Sequence, residues 1–341
     1  MKLLPTELVG SYALPSWLSV MLERAEALGD LGESDIEEAL EDAVRIALLD
    51  QERAGLDVLT DGEMRRRDFI QNFYGLLTGL RKLPPARRIG AAGYDQNPRY
   101  EVVDRVTAPN GLGIVTEYGQ LRQLTQSPVK VCVPGPMTLA LPLVLAGGYG
   151  SHEELLEDVV TIVNAELRAL VQAGADYVQI DEPRYATSHE EARSLVQLFN
   201  ATRNGVDARV GLHLCFGNFR GRSRDRRDYS TFFPALLEAE TDQFNLEFAN
   251  REWAQIELLR NFGADQRIGV GVLDVKSYFV EDPEEIAEGI RRALKHVPAE
   301  NIVVTPDCGL NHSPRHVAAR KIAAMVEGAA LVRRELAGSS D

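Results

Sequence analysis

A chain of 341 residues, 45% hydrophobic and 26% charged, can bury a large core as one domain or as two. Its 37 Lys and Arg against 51 Asp and Glu leave a formal net charge of -14, which disfavours nucleic acid and anionic membrane as partners. No apolar run approaches the ~18 residues needed to cross a bilayer, and the N-terminus lacks a signal-peptide pattern, so a cytoplasmic protein is expected.

Eight apolar, β-branched runs are predicted as strands, at 7–12, 56–62, 129–135, 177–182, 208–215, 243–249, 268–275 and 301–309. Helical segments lie between many of them. Ser34 with Glu37, Ser151 with Glu154, and Ser188 with Glu191 have capping-box spacing. Asp282 before Pro283 and Ser313 before Pro314 predict two further helix starts, the last opening a long helix towards Leu336. Eight strands without an obvious linker predict a single (β/α)8 TIM-barrel domain over 1–341, with an open doubly wound sheet as the competing architecture. The stretch 83–117, rich in Pro and Gly, fits the repeat poorly and is predicted as an inserted excursion over the barrel mouth, a lid or a plain decoration.

Polar residues gather at the predicted strand ends. Ser11, Asp61, Glu63, Asp181, Glu182, His213, Cys215, Asn245, Glu247, Asp274, Lys276, Asp307 and Cys308 all fall there, where a barrel carries its active site. The three cysteines, Cys132, Cys215 and Cys308, are odd in number and dispersed, as reduced thiols are. His213 and Cys215 lie two apart on a strand and face the same way. With Cys308 and Glu247 they make a predicted zinc-ligand set, His213, Cys215, Glu247 and Cys308. A core histidine beside a buried thiol is the alternative for the His-x-Cys pair alone. Cys132, inside an apolar run, is expected to be an inert core residue.

The segments VGSY (9–12), DVLTDGE (57–63), GPMT (135–138), QIDEP (179–183), HLCFGN (213–218), NLEFA (245–249), GVLDVKS (271–277) and PDCGL (306–310) together resemble the catalytic domain of cobalamin-independent methionine synthases. The resemblance covers almost the whole chain. It implies a zinc-dependent methyltransferase acting on the thiol of homocysteine, with the same four metal ligands. It further implies that Glu63 and Asp181 bind the substrate ammonium and that Ser11 lies in the loop meeting its carboxylate. Taken without that resemblance, Glu63 and Asp181 read rather as solvated loop-end acids or helix caps. Folate-using members carry a second barrel, an Asn-Trp pair after GPMT, and histidine where this chain has Lys276. Here the segment 135–147 holds no tryptophan, so a non-folate donor such as a methylcorrinoid or its carrier protein is expected. The related epoxyalkane:coenzyme M transferases offer an alternative in which Lys276, Arg65, Arg66, Arg67 and Arg184 serve an anion. A noncatalytic zinc-bearing binding protein is the reading from a different class. Arg220, Arg222, Arg224, Arg226 and Arg227 form a basic stretch that either steers an anionic donor or is balanced by Asp225 and Asp228.

Overall fold

In the computed structural model, which describes residues 2–66, 68–84, 99–185, 191–217 and 227–338, the chain opens with α1 (Ser16–Leu28), α2 (Glu33–Ala54) and the short α3 (Gln71–Tyr74). An antiparallel hairpin follows, β1 (Thr78–Leu83) and β2 (Arg99–Thr107). The helix α4 (Ile114–Leu124) leads to β3 (Val131–Pro134), α5 (Pro136–Ala140), the two-residue β4 (Val144–Leu145), α6 (His152–Gln172) and β5 (Tyr177–Asp181). Then come α7 (Ala192–Arg203), β6 (Arg209–Leu214), β7 (Gln243–Leu246), β8 (Arg267–Leu273), α8 (Pro283–Leu294), β9 (Ile302–Pro306) and α9 (Arg315–Gly338).

Six strands form one parallel sheet in the order β3-β5-β6-β7-β8-β9, and its strands are buried almost throughout, as helix-covered parallel sheets require. The first two predicted strands are not ladders. They appear as isolated parallel bridges, with Thr6 beside Val304, Glu7 beside Val58, and Leu59 beside Val129. Beyond these bridges the two segments meet in a turn contact. Tyr12 N–H donates to the Gly62 carbonyl at 2.9 Å, and both Gly62 and Glu63 have positive φ, at 70° and 57°. The fold is therefore an α/β architecture around a parallel core, with helices packed outside.

The predicted excursion begins and ends in structure. Residues 85–98 lie outside the described residues, but β2 pairs along β1 and in parallel with β4, giving a second, three-stranded sheet. Its exit is anchored by Glu166 on α6. That carboxylate accepts from the N–H groups of Leu112 (2.7 Å), Ile114 (2.8 Å) and Val115 (3.1 Å) at the start of α4.

The caps divide. Ser151 accepts from Glu154 N–H at 3.3 Å, and at the start of α8 Glu285 reaches back to accept from the Asp282 N–H at 2.8 Å. Ser34 does not cap: the cap position of α2 is Gly32, whose N–H donates to Asp35 at 2.9 Å, while Glu37 accepts from Arg65 at 2.7 Å. Ser313 does not cap either. Its buried hydroxyl has no partner among the described residues, while the turn is closed by Pro314 accepting from Val317 and Ala318 N–H. Ser188 lies outside the described residues, and Glu191 occupies the cap position of α7.

Replacing Glu166 by Ala strips three N–H groups, two of them buried, of their acceptor and should cost about 2–3 kcal/mol. A thermal or urea midpoint equal to that of the unaltered protein would show that this anchor contributes nothing.

Candidate metal and substrate site

Strand pairing sets the site. Asp181 ends β5 directly beside His213 of β6, which in turn lies beside Asn245 of β7. Asp181 Oδ1 and His213 Nδ1 are 2.9 Å apart, so the ring is fixed through Nδ1. His213 Nε2 is buried and has no hydrogen-bond partner among the described residues. A ring nitrogen of His213 and the sulfurs of Cys215 and Cys308 all lie within 4.8 Å of one another, and the two sulfurs are 3.4 Å apart. Cys308 is pushed well below the usual thiol range because Cys215 donates to it, outweighing burial, and His213 adds positive charge; Cys215 is raised well above that range. Burial opposes a charged His213, yet Asp181 and Cys308 lift it to about 9. An orphaned imidazole nitrogen facing two sulfurs, one with its pKa held down, is a donor set able to hold a divalent metal ion.

Glu247 stands outside that group. It is fully buried, and its Oε1 is paired with Lys276 Nζ at 2.7 Å while Oε2 accepts from Phe216 N–H at 3.3 Å. Burial raises the Glu247 pKa and Lys276 moderates the rise. Burial works against the Lys276 cation, but the Glu247 charge overrides it. The Glu247 loop is held from below by Asp307, whose carboxylate accepts from the N–H groups of Phe248 (2.8 Å), Ala249 (2.9 Å) and Asn250 (2.6 Å). Asp274 positions Lys276, accepting its backbone N–H at 2.8 Å.

Asp181 also belongs to a second group. Oxygens of Glu63 and Asp181 and the sulfur of Cys132 lie within 4.8 Å of one another. Glu63 accepts from Ser11 Oγ at 2.6 Å and from Arg66 Nη1 at 3.4 Å. Burial, tempered by Arg66 and reinforced by the Asp181 charge, pushes Glu63 up to about 7. Cys132 donates to the Val9 carbonyl at 3.2 Å, and burial drives its pKa well up, as an unreactive thiol requires. Glu182 takes no part in either group. It accepts from Met137 N–H (3.0 Å) and from the N–H (3.0 Å) and hydroxyl (2.7 Å) of Thr138, tying the GPMT turn to β5. Burial raises it to about 8. A Cβ at Gly135 would stand 2.2 Å from Glu182, so this turn demands glycine.

The arginines considered for an anion are engaged elsewhere. Arg66 is bound to Glu117 at 2.8 Å besides Glu63, and Arg65 to Glu37 at 2.7 Å. Arg67 and residues 220–226 of the basic stretch lie outside the described residues. Arg227 donates to the Asn250 carbonyl at 3.2 Å and stands 3.8 Å from Glu247.

A family model described as the catalytic domain of cobalamin-independent synthase matches residues 4–331. Methionine synthase from Saccharolobus solfataricus is 34% identical over 339 residues, covering 98% of this chain and 97% of that protein. That from Sulfurisphaera tokodaii is 34% identical over 337 residues, covering 98% and 94%. A solved B12-independent methionine synthase from Shewanella sp. W3-18-1, in complex with selenomethionine, superposes with a TM-score of 0.84 at 29% identity, covering 99% of this chain and all of that one. The chain belongs to the cobalamin-independent methionine synthase family.

Sequence reasoning did not find what lies beneath the cluster. Gln179 Nε2 donates to Asp181 Oδ1 (2.7 Å), its Oε1 accepts from Asn245 Nδ2 (2.7 Å), and Asn245 Oδ1 accepts from Gln243 Nε2 (2.6 Å). The available signal was an alternation of polar residues, 179/181 and 243/245/247, within strands otherwise apolar. Gly269 and Gly271 were its complement: a Cβ there would meet Asn245 Oδ1 at 1.8 Å and Asp307 Oδ1 at 2.3 Å. Replacing Cys308 or Cys215 by Ser should abolish stoichiometric metal retention, whereas Asp181→Asn should weaken it by roughly 10–100-fold. Elemental analysis after dialysis against a graded chelator reads both. Full metal content in Cys308→Ser would exclude the cluster as the metal site.

Proposed function

We propose that this chain is a zinc-dependent methyltransferase that carries a methyl group from a non-folate donor to the thiol of homocysteine, giving methionine. The observation that carries the reading is that Asp181 links the two side-chain groups, bonded to the metal-donor histidine on one side and neighbouring Glu63 on the other. One substrate can thus present its sulfur to the first group and its ammonium to the second.

The same reading takes 1–341 as one cytoplasmic domain and closes the parallel sheet into a (β/α)8 barrel through the bridges at residues 6–7 and 58–59. Placement of the candidate site residues at strand C-termini supports it. No described helix is long and apolar enough to cross a membrane.

His213, Cys215 and Cys308 would hold the zinc, with Glu247 as the fourth ligand once released from Lys276. Zinc there supplies Lewis acidity that keeps a substrate thiol ionised near neutral pH. Asp181 keeps the His213 ring oriented with Nε2 available. Lys276 holds Glu247 in reserve and neutralises it. Glu63, with a pKa near 7, ionises fully when an ammonium group arrives beside it, so substrate charge and site charge settle together. Ser11 Oγ, now spent on Glu63, is a ready donor for the substrate carboxylate. Burial of both groups excludes water from the reacting sulfur. A methylcorrinoid, free or on a carrier protein, is the proposed donor, because 135–147 offers no tryptophan on which a pterin could lie. A sulfonate acceptor is a weaker fit: Arg65, Arg66 and Lys276 are each held by a carboxylate.

Zinc-loaded protein given homocysteine and methylcobalamin should form methionine, and should form none with methyltetrahydrofolate. Product only from coenzyme M and an epoxide would overturn the assignment. Glu63→Gln should raise KM for homocysteine by about 10–100-fold, the loss of one charge-assisted contact. The protonated Glu63 has no charge for the ammonium, so KM should climb as pH falls through about 7 in the unaltered enzyme. In Glu63→Gln that climb should vanish; an identical pH profile would remove Glu63 from the ammonium site.

A further inference from the structure

The opposite, N-terminal mouth of the sheet carries a second cluster that the methyl-transfer reading does not use. Arg209 opens β6 and Arg267 opens β8, and each lies in the inward row of its strand, two residues before Gly211 and Gly269. Between them β7 begins with Gln243, which is paired in register with Arg267. One buried acid, Glu7, lies in this layer. Its Oε1 accepts from Lys130 Nζ at 2.7 Å, Tyr177 hydroxyl at 3.0 Å and Gln243 Nε2 at 2.9 Å. Glu7 Oε1 is thus taken by three donors, and the one Glu7 charge faces Lys130, Arg209 and Arg267 together, leaving cations in excess in the layer.

Arg209 is fixed in place. Its guanidinium stacks over the Tyr177 ring, 4.0 Å from the centroid, and Nη2 donates to Gln243 Oε1. Its Nε is buried with no hydrogen-bond partner among the described residues. In Arg267 both Nε and Nη2 are buried and unpartnered, and the residue makes no ion pair among the described residues. Those two atoms are the parallel N–H edge of a guanidinium, the edge that grips two oxygens of an oxyanion side by side. Burial and the neighbouring Arg209 charge disfavour the Arg267 cation, and the Glu7 charge offsets them only in part. An arginine does not escape such a setting by losing its proton, and three desolvated, unsatisfied charged donors are costly. Both residues are only half-buried, so the mouth is open to solvent on their outer side.

We infer that Arg209 and Arg267 form a binding site for a small tetrahedral oxyanion of the phosphate or sulfate class at the N-terminal mouth of the sheet. The oxyanion is held bidentately by the Nε and Nη2 edge of Arg267 and singly by Nε of Arg209, and its charge balances the excess in the layer.

The test is calorimetric titration of the full chain with inorganic phosphate and with sulfate at low, matched ionic strength, with chloride as the control. One saturable phosphate per chain is expected, weakened at least tenfold in Arg267→Met and less in Arg267→Lys, which keeps the charge and loses the fork. Glycerol phosphate distinguishes a free ion from a phosphoryl group on a larger molecule: competition with phosphate, lost in Arg267→Met, assigns the latter. Arg267→Met without added anion should melt no lower than the unaltered protein, since a like charge beside Arg209 is gone. Independently of any variant, millimolar phosphate should raise the melting temperature of the unaltered protein by about 3 °C over chloride, as a site-bound ligand does. No saturable uptake of either ion, or uptake unchanged in Arg267→Met, would overturn the assignment and leave these N–H groups to water.

Discussion

The interaction on which the rest of the site depends is the pair of hydrogen bonds made by one oxygen of Asp181. Oδ1 accepts from Gln179 below and faces His213 Nδ1 above, at 2.7 and 2.9 Å. That oxygen terminates a ladder of amides, Gln243 to Asn245 to Gln179, which climbs the inside of the sheet. A buried amide left unpaired costs more than the hydrogen bond it would make, so each member fixes the next. The last position fixed is the imidazole ring, whose remaining nitrogen is left facing the sulfurs. The ladder replaces the apolar layers that ordinarily fill a parallel core, and Gly269 and Gly271 of β8 leave the room for it.

Five buried carboxylates crowd the strand C-termini, and their partners separate their tasks. Glu182 and Asp307 each accept several backbone N–H groups and so hold loops, Glu182 the turn after β3 and Asp307 the turn after β7. Glu247 is held by an ammonium, and Asp181 by an imidazole and an amide. Glu63 has the weakest hold, a hydroxyl and a 3.4 Å guanidinium contact, and its left-handed backbone keeps it turned towards Asp181. It is the carboxylate with capacity to spare for a new cation. Arg66 joins it to Glu117 at the exit of the β1–β2 excursion, so this insertion is tied to the site through a buried ion pair.

The interior is polarised end to end. Acids and thiols occupy one mouth of the parallel core, while Lys130, Arg209 and Arg267 surround a single acid at the other. A formal charge of -14 spread over the whole chain gives no hint of that segregation. It arises because inward positions of neighbouring strands fall into layers, and each layer draws one residue from each strand.

By itself the sequence determined the six runs that pair into the parallel sheet, the parallel α/β class, the caps at Ser151 and Asp282, and the residue types from which a metal site could be drawn. Local rules suffice for these: β-branched runs, the two-residue period that aligns His213 with Cys215, and capping chemistry within a few residues. Tertiary structure decided the rest. Residues 7–12 and 56–62 read as strands by composition but pair only through single bridges, since the turns beyond them are shaped by Gly62 and Glu63 meeting Tyr12 across the chain. Ser34 and Ser313 have capping spacing, yet competing contacts from Asp35 and Pro314 take the helix starts. Glu247 lies against Lys276, a partner 29 residues away whose direction no local pattern encodes. Cys308 meets Cys215 across 93 residues for the same reason. Side-chain chemistry is written in the sequence, but which charges end up as neighbours is fixed only when strand register stacks distant residues into one layer.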